Sequence, residues 1–478
     1  MRSVKDYIFY ALDSFLPSVV NLILIPLYLR SVTLADYGYF TLIFTLTGLF
    51  TMLMTAQIPS AIIRYFHAKP EDPTWQKKYV SSVVLSVICL TCIISALLYA
   101  AAPIAYHFLG KIPEDIFSAL WLPALVMGGV QGLRTTFESV CSAKREPKKI
   151  WHGALIFSIG NLIGAGALLA VDRLTIQAIA WTNVISLIIG VAYLATVTRS
   201  YLSTKLCSLD DLKPSLNYSA GMLPYIFSKF VFQNVDKFLV LQFLSAKDVG
   251  IYTIVMKIAM IYDRVTSVSG RTIMPILLQQ KNEEKVAKES ARALSASFVF
   301  HALIFIPFIV LTPLALHLVS HSQVNQWQLV AIIAFGSLIT QVRSFYVYQL
   351  MAAEKTKWIA FSAFCMGIIA IVNNVALIPA FGLWGAALSY SLTLGVGIVI
   401  TFAIEQKIIT SVFNSEISLL VRVSSVLVTT LFIMNADFRL AIPTALIATG
   451  YLFSIAYRET LLKNVITSLV RTFKGKSL

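Results

Sequence analysis

About fourteen stretches of some 18 or more mostly apolar residues recur along the chain, separated by short charged or Gly/Pro-containing breaks. A bilayer core about 30 Å thick is crossed by about 20 helical residues. Within it every backbone N–H and C=O must be bonded internally, so a chain of this pattern folds as a set of membrane-crossing helices. The expected spans lie at roughly 7–29, 38–63, 79–103, 117–141, 151–171, 176–198, 218–244, 249–275, 291–319, 327–352, 358–379, 384–404, 417–435 and 440–457. Composition agrees, since 58% of the 478 residues are apolar and 13% charged, against about 45–50% and about 25% in soluble domains. A water-soluble globule is excluded, and the fold class is all-α, polytopic.

The net charge of +15 is explained without nucleic acid as a partner. Of 38 Lys and Arg, 25 fall on the termini and every second connection, including SAKREPKK (142–149), and five (Arg30, Lys111, Arg173, Lys247, Arg439) on the alternate connections. The positive-inside rule places both termini in the cytoplasm. Arg2 and Lys5 precede an apolar run that Asp13 and Pro17 interrupt, so a retained first span is expected rather than a cleaved signal peptide. Of five cysteines, Cys89 and Cys92 stand in CxxC spacing, but inside an apolar run and with no His nearby, so neither a metal site nor a disulfide framework is indicated. No GxxxxGK[ST] loop is present. Beyond Arg458, Leu462, Val465, Ile466, Leu469 and Phe473 share a helical stripe with basic residues off it. This suits either a helix on an anionic leaflet or a disordered basic tail.

The chain reads as duplicated. Asp36-Tyr37-Gly38-Tyr39-Phe40-Thr41-Leu42 and Asp248-Val249-Gly250-Ile251-Tyr252-Thr253-Ile254 share a D-x-G-x-aromatic-T-aliphatic pattern at a displacement of 212 residues. Arg134 and Arg343 recur at 209. Six spans separate the copies, an even number, so the copies are expected to be related by an axis along the membrane normal. The expected organisation is a six-helix lobe over 1–200, a second over 201–410, appended helices over 411–457 and a basic amphipathic tail over 458–478.

The segments Pro26-Leu27-Tyr28, Asp36-Tyr37-Gly38, Pro59 to Phe66 (PSAIIRYF), Asn234-Val235-Asp236-Lys237 and Leu377 to Ala387 (LIPAFGLWGAA) are similar to those of bacterial oligosaccharide flippases of the multidrug/oligosaccharidyl-lipid/polysaccharide (MOP) superfamily. The resemblance runs from about residue 7 to 404. It implies a MATE-like fold in the bacterial inner membrane and translocation of a polyprenyl-pyrophosphate-linked oligosaccharide of the O-antigen, capsule or exopolysaccharide kind. Polysaccharide polymerase and chain-length proteins would be partners, and no cofactor is required beyond possible coupling to H⁺ or Na⁺.

With Arg292, at the edge of its span, counted among the 25, eight cations remain within the expected spans: Arg134, Lys229, Lys237, Lys257, Arg264, Arg271, Arg343 and Arg422. A charge in hydrocarbon is costly and marks a functional position by default. Lys257, Arg264 and Arg271 recur every seven residues, so they stand about 20° apart around the helix and climb roughly 21 Å. Together with Arg134, Lys229 and Arg343 they are the candidate binding groups for an anionic headgroup, which Arg and Lys hold through charge-assisted hydrogen bonds. Competing readings are an i,i+4 pair of Arg134 with Glu138 and snorkelling of Arg271 and Arg422. Asp13, Glu138, Asp236 and Asp263 are the carboxylates available for ion coupling, with Asp236 also suited to an interfacial structural role. Pro17, Pro26 and Pro224 are candidate hinges in the first helix of each repeat. Asn21, Gln57, Asn161, Gln233, Asn373 and Asn374 suit sugar contacts or helix–helix hydrogen bonds.

Two other functions fit the size. An organic-cation antiporter of the same superfamily would present acids rather than eight cations. A polysaccharide polymerase or glycosyltransferase would carry a large external catalytic loop, whereas the longest such connection here is about 104–116.

Overall fold

The computed structural model describes residues 2–408 apart from 70, 279–282, 321–325 and 354; side chains at 2–8, 10, 11, 14, 209, 266–278, 283–296, 352 and 408 are likewise outside the description. The last two expected spans, the tail and Arg422 therefore lie outside the described residues. Among those described the secondary structure is helical, with no strand. Fourteen helices run in order: α1 (Arg2–Tyr28), α2 (Leu34–Thr55), α3 (Ile58–Tyr65), α4 (Pro73–Ala100), α5 (Ala102–Phe108), α6 (Glu114–Ala143), α7 (Pro147–Ala170), α8 (Ile176–Thr198), α9 (Leu209–Phe243), α10 (Ala246–Leu278), α11 (Glu283–Ser320), α12 (Trp327–Ala352), α13 (Thr356–Phe381) and α14 (Leu383–Ile408). The first twelve expected spans are all present, with the second split into α2 and α3 and the short α5 added in the 104–116 connection. Nine of the described helices are long and apolar enough to cross a membrane. Lys229, Asp236 and Lys237 in α9, and Lys257, Asp263 and Arg264 in α10, put these two helices at the polar end of the set.

The helix ends follow local chemistry. Thr33 caps α2 by accepting the Asp36 N–H, and Ser245 accepts the Asp248 N–H at 3.2 Å at the start of α10. These are the same positions of the two repeats, and each aspartate receives the capping hydroxyl in return, so two orphan amides are satisfied identically. Pro17 and Pro26 lie inside α1, and Pro214 and Pro224 inside α9, with helix continuing through them. Asn21 donates to the Pro17 carbonyl at 2.8 Å and Ser228 to that of Pro224 at 2.8 Å, a back-bonding that favours bending.

The α2/α3 break has no Gly or Pro at its centre. Ala56 (φ 44°) and Gln57 (φ 59°) are both left-handed, a conformation costing roughly 1–2 kcal/mol for each such residue. Thr55, buried, receives the Gln57 N–H at 3.3 Å, and Pro59 starts the next helix where its missing N–H costs nothing.

The chain forms two compact units, Met1–Thr253 and Ile254–Leu478. In the first, α6 packs on α2, α4 and α8, α7 on α1 and α8, and α3 and α4 on α9. Its basic connections are tied together. Lys69 pairs with Asp211 at 2.9 Å, the Tyr79 and Ser215 hydroxyls lie 2.7 Å apart, Tyr201 donates to Glu146 at 2.8 Å, and the N–H of Ser203 reaches Ser81 at 2.7 Å. Arg64 stands over Tyr218, 5.0 Å from the ring centre. At the opposite end Lys111 donates to the Gln242 carbonyl. In the second unit α12 packs on α11 and α14, and α13 on α14. Asn373 donates to Thr393 at 3.1 Å and Ser391 to the Ile332 carbonyl at 2.7 Å. Gly382, with φ 60°, makes the turn into α14 and returns its N–H to Ile378 at 2.8 Å.

The Lys69–Asp211 pair gives a prediction of modest size. The hydrogen bond from Lys69, then that from Ser208, holds the Asp211 carboxyl below its ordinary range. Stability from a lowered carboxyl is complete above the ordinary value and lost as pH falls through the lowered one. Lys69 is half exposed, so Lys69→Ala is expected to cost under about 1 kcal/mol. The difference from the unsubstituted protein should vanish in high salt and in acid, as measured by thermal unfolding in detergent.

Candidate functional site

The first unit brings together three of the candidate residues. Arg134, on α6, donates from Nε to Glu138 Oε1 at 2.6 Å, one helical turn on. Its Nη2 lies 3.8 Å from Asp13 Oδ1 on α1, and the guanidinium stands over the Phe157 ring of α7, 5.7 Å from its centre. The side chains are 14% (Arg134), 22% (Asp13) and 22% (Glu138) exposed. The i,i+4 half of this cluster follows from spacing. The other half depends on the packing of α1 against α7, which in turn meets α6, and it bridges 121 residues of chain. Two carboxylates around one guanidinium leave a formal charge of −1, so the cluster can take up one monovalent cation and become neutral.

Asp236 occupies a different setting. It is buried at 3% exposure, accepts the Tyr252 hydroxyl at 2.7 Å and takes the Lys237 N–H at 2.8 Å. Lys237 reaches Asn234 at 3.2 Å. The structure thus ties Asp236 to the start of α10 within the first unit. Lys229 is exposed on α9.

In the second unit Arg343 bridges three helices. From α12 its Nε donates to Thr401 of α14 and its Nη2 to Ser362 of α13, both at 3.2 Å. Glu405, one turn beyond Thr401 on α14, is fully buried, and sequence reasoning did not single it out. The only sequence signal was a carboxylate two residues before Lys407 near a span end, which reads equally as a solvated terminus. On α10, Lys257 is partly buried, Asp263 is partly buried and Arg264 is exposed, while the side chain of Arg271 lies outside the described residues. Among the polar candidates, Asn21 and Asn374 bond carbonyls four residues back, and Asn373 crosses to α14. Among the described residues no group of three or more His, Cys, Asp or Glu is placed to hold a metal ion.

The most symmetric feature of the first unit is the contact of the two copies of the repeated motif. A β-carbon placed on Gly38 would land on the Ala246 carbonyl oxygen, and one on Gly250 would land on that of Leu34. The hydroxyls of Thr41 and Thr253 lie 3.3 Å apart, both buried. Every member of this set is displaced from its counterpart by 212 residues, the interval that the sequence motif predicts.

Comparison with known proteins places this architecture. No curated protein matches the chain. The chain is similar in structure to the lipid II flippase MurJ in an inward closed conformation, with a TM-score of 0.76 at 15% identity, covering 95% of this chain and 100% of that one. It is similar to an inward-facing multidrug resistance MATE family transporter of the MOP superfamily, with a TM-score of 0.64 at 13% identity over 84% and 98% of the two chains. The Vibrio cholerae MATE transporter VcmN in its bent form gives 0.57 at 18% identity over 87% and 96%. These likenesses establish the MATE-like fold expected from the sequence. The family model described as polysaccharide biosynthesis protein matches residues 3–281, more than half of the sequence. This multi-pass membrane protein, with the fold of MOP-superfamily transporters, therefore belongs to the polysaccharide biosynthesis protein family.

Proposed function

We infer that the protein is a flippase that moves a polyprenyl-pyrophosphate-linked oligosaccharide across the bacterial inner membrane, without a chemical step. The observation that carries this reading is membership of a polysaccharide biosynthesis family by a chain whose fold is that of MOP transporters. A lipid-linked sugar is an anion at its pyrophosphate and polar at its glycan, so it needs cations and hydrogen-bonding groups along its path, and its tail can stay in lipid. Arg134, Lys229, Lys257, Arg264, Arg271 and Arg343 are the proposed cations. Two lobes, 1–200 and 201–410, would alternate access to a cationic cavity, with both termini cytoplasmic as the 25-to-5 division of loop cations implies. Asp13, Arg134 and Glu138 form the proposed coupling site, where uptake of one H⁺ or Na⁺ neutralises the cluster. Asp236 and Asp263 are secondary candidates, and Pro17, Pro26 and Pro224 the proposed bending points. Polysaccharide polymerase and chain-length proteins are proposed partners downstream.

The test is headgroup accessibility in proteoliposomes loaded with a lipid-linked oligosaccharide on one face. Protein-dependent exposure on the other face is expected, and a rate equal to that of protein-free vesicles would overturn the reading. Neutralising Lys257 and Arg264 together (Lys257→Gln, Arg264→Gln) should slow movement at least tenfold. Should that variant keep its rate while the protein exports organic cations, the antiporter reading would replace this one.

A further inference from the structure

We propose that the ion taken up by the Asp13–Arg134–Glu138 cluster is a proton, and that it passes between the cluster and the cytoplasm through the pair His152–Tyr193. This rests on the coupling role proposed above for the cluster and on the orientation given by the loop cations.

His152 lies at the depth of the cluster. The helices α6 and α7 are antiparallel neighbours joined by the short connection 144–146. Arg134 of α6, standing over the Phe157 ring of α7, marks a level shared by both. Glu138 is four residues nearer the connection and His152 five, which at about 1.5 Å per residue is about 6 Å and about 7.5 Å. From the α1 side Phe9 packs on Trp151, ring centres 5.7 Å apart, and Asp13 follows Phe9 by one turn. His152 Nδ1 and the Tyr193 hydroxyl of α8 lie 3.0 Å apart. Phe137, Phe157, Leu187, Val191 and Leu194 form an apolar seam beside Tyr193. The pair is therefore a polar crossing in an apolar setting, and an ionisable group so placed within a span marks a functional position.

A second polar station lies one turn nearer the cytoplasm. Lys149, three residues before His152, donates to Glu146 at 2.8 Å and to the carbonyl of Val197, four residues beyond Tyr193, at 3.3 Å. Glu146 also accepts the Tyr201 hydroxyl at 2.8 Å. The Lys149 and Glu146 side chains are 30% and 29% exposed, so water reaches this station. Among the described residues, the charged and titratable groups around the pair are Lys149 on α7, Tyr193 on α8, Asp13 on α1, and Arg134, Glu138 and Cys141 on α6.

This set of groups selects the ion. A hard metal cation is held by a shell of oxygens, whereas the centre of the cluster is a guanidinium, which has donors and no acceptor. A proton needs a single carboxylate oxygen. Histidine changes charge between about pH 5 and 8 and serves as a proton shuttle. A proton arriving at one ring nitrogen of His152 is matched by one leaving from the other, so no net charge stays in the seam.

The test uses the full-length protein in membranes. A pH jump on the cytoplasmic side is followed through the infrared band of a protonated carboxyl, assigned to the cluster by its loss in Asp13→Asn, Glu138→Gln. His152→Ala should slow the change in that band at least tenfold while leaving its end point in place, and imidazole added on the cytoplasmic side should restore the rate. Tyr193→Phe should slow it less. An unchanged rate overturns the proposal, as does a shifted end point that imidazole does not correct, since that is the mark of a structural role. Should His152→Ala fail to fold, His152→Gln supplies the same comparison of rate and end point. A band that answers to Na⁺ and not to the pH jump also overturns the proposal, and leaves the cluster as a sodium-coupling site. In proteoliposomes a pH gradient should speed flipping by the unsubstituted protein, and that response should fall at least tenfold in His152→Ala. A slowed, imidazole-rescued band in a protein whose flipping ignores every ion gradient leaves the proton route standing and sinks the coupling role.

Discussion

Alanine at Gly38 is expected to destabilise the protein by about 2 kcal/mol, and alanine at Gly250 by a similar amount. Each new methyl meets a carbonyl oxygen of the facing helix, a backbone atom that cannot rotate aside, so two capped helix ends must move apart. Overpacking of this kind costs about 1–3 kcal/mol. Helix propensity returns up to about 1 kcal/mol of it, because alanine is the better helix former. Gly166 and Gly221 provide the control, since nothing lies within 4 Å of a β-carbon at either. Gly166→Ala in α7 and Gly221→Ala in α9 should be neutral or stabilising by up to about 1 kcal/mol. The double variant Gly38→Ala, Gly250→Ala should cost clearly less than the sum of its parts, since the first displacement makes room for the second methyl. Thermal unfolding in detergent measures all five proteins. Strict additivity, or a Gly38→Ala protein as stable as Gly166→Ala, would refute the close crossing.

Removing Arg134 should be comparably damaging for an electrostatic reason. Arg134→Ala leaves Asp13 and Glu138 facing each other in a largely buried setting, and breaking such a cluster from one side costs about 3–5 kcal/mol. Partial exposure puts the expected loss at the lower end, about 3 kcal/mol. Removing the carboxylate charges as well, in Arg134→Ala, Asp13→Asn, Glu138→Gln, should recover most of that stability, because the penalty belongs to the uncompensated charges. If the triple variant is no more stable than the single one, packing of the guanidinium on Phe157 is the main contribution instead. Flipping by the triple variant in proteoliposomes should lose its response to an imposed ion gradient, the reading that separates a coupling role from a purely structural one.

What the sequence disclosed and what it withheld divide along physical lines. Span positions follow from apolar length alone, and twelve of them correspond to described helices. The D-x-G-x-aromatic-T repeat was visible because both copies keep the cap, the glycine and the threonine, but that the two copies touch each other was not. The Arg134–Glu138 pair is local, one turn apart, whereas Asp13 joins it only through tertiary packing. The α2/α3 break was hidden because Ala56 and Gln57 carry no sign of a left-handed backbone; tertiary packing imposes it. Glu405 was missed because burial of a carboxylate near a helix end depends on its neighbours in space.

The α2–α10 crossing also has the reciprocity of a surface that meets its own copy. Residue 38 touches residue 246 while residue 250 touches residue 34, the reciprocal pattern by which two identical subunits meet in an isologous dimer. The constraint is mutual: a side chain at either glycine must displace a backbone carbonyl that belongs to the other copy of the motif.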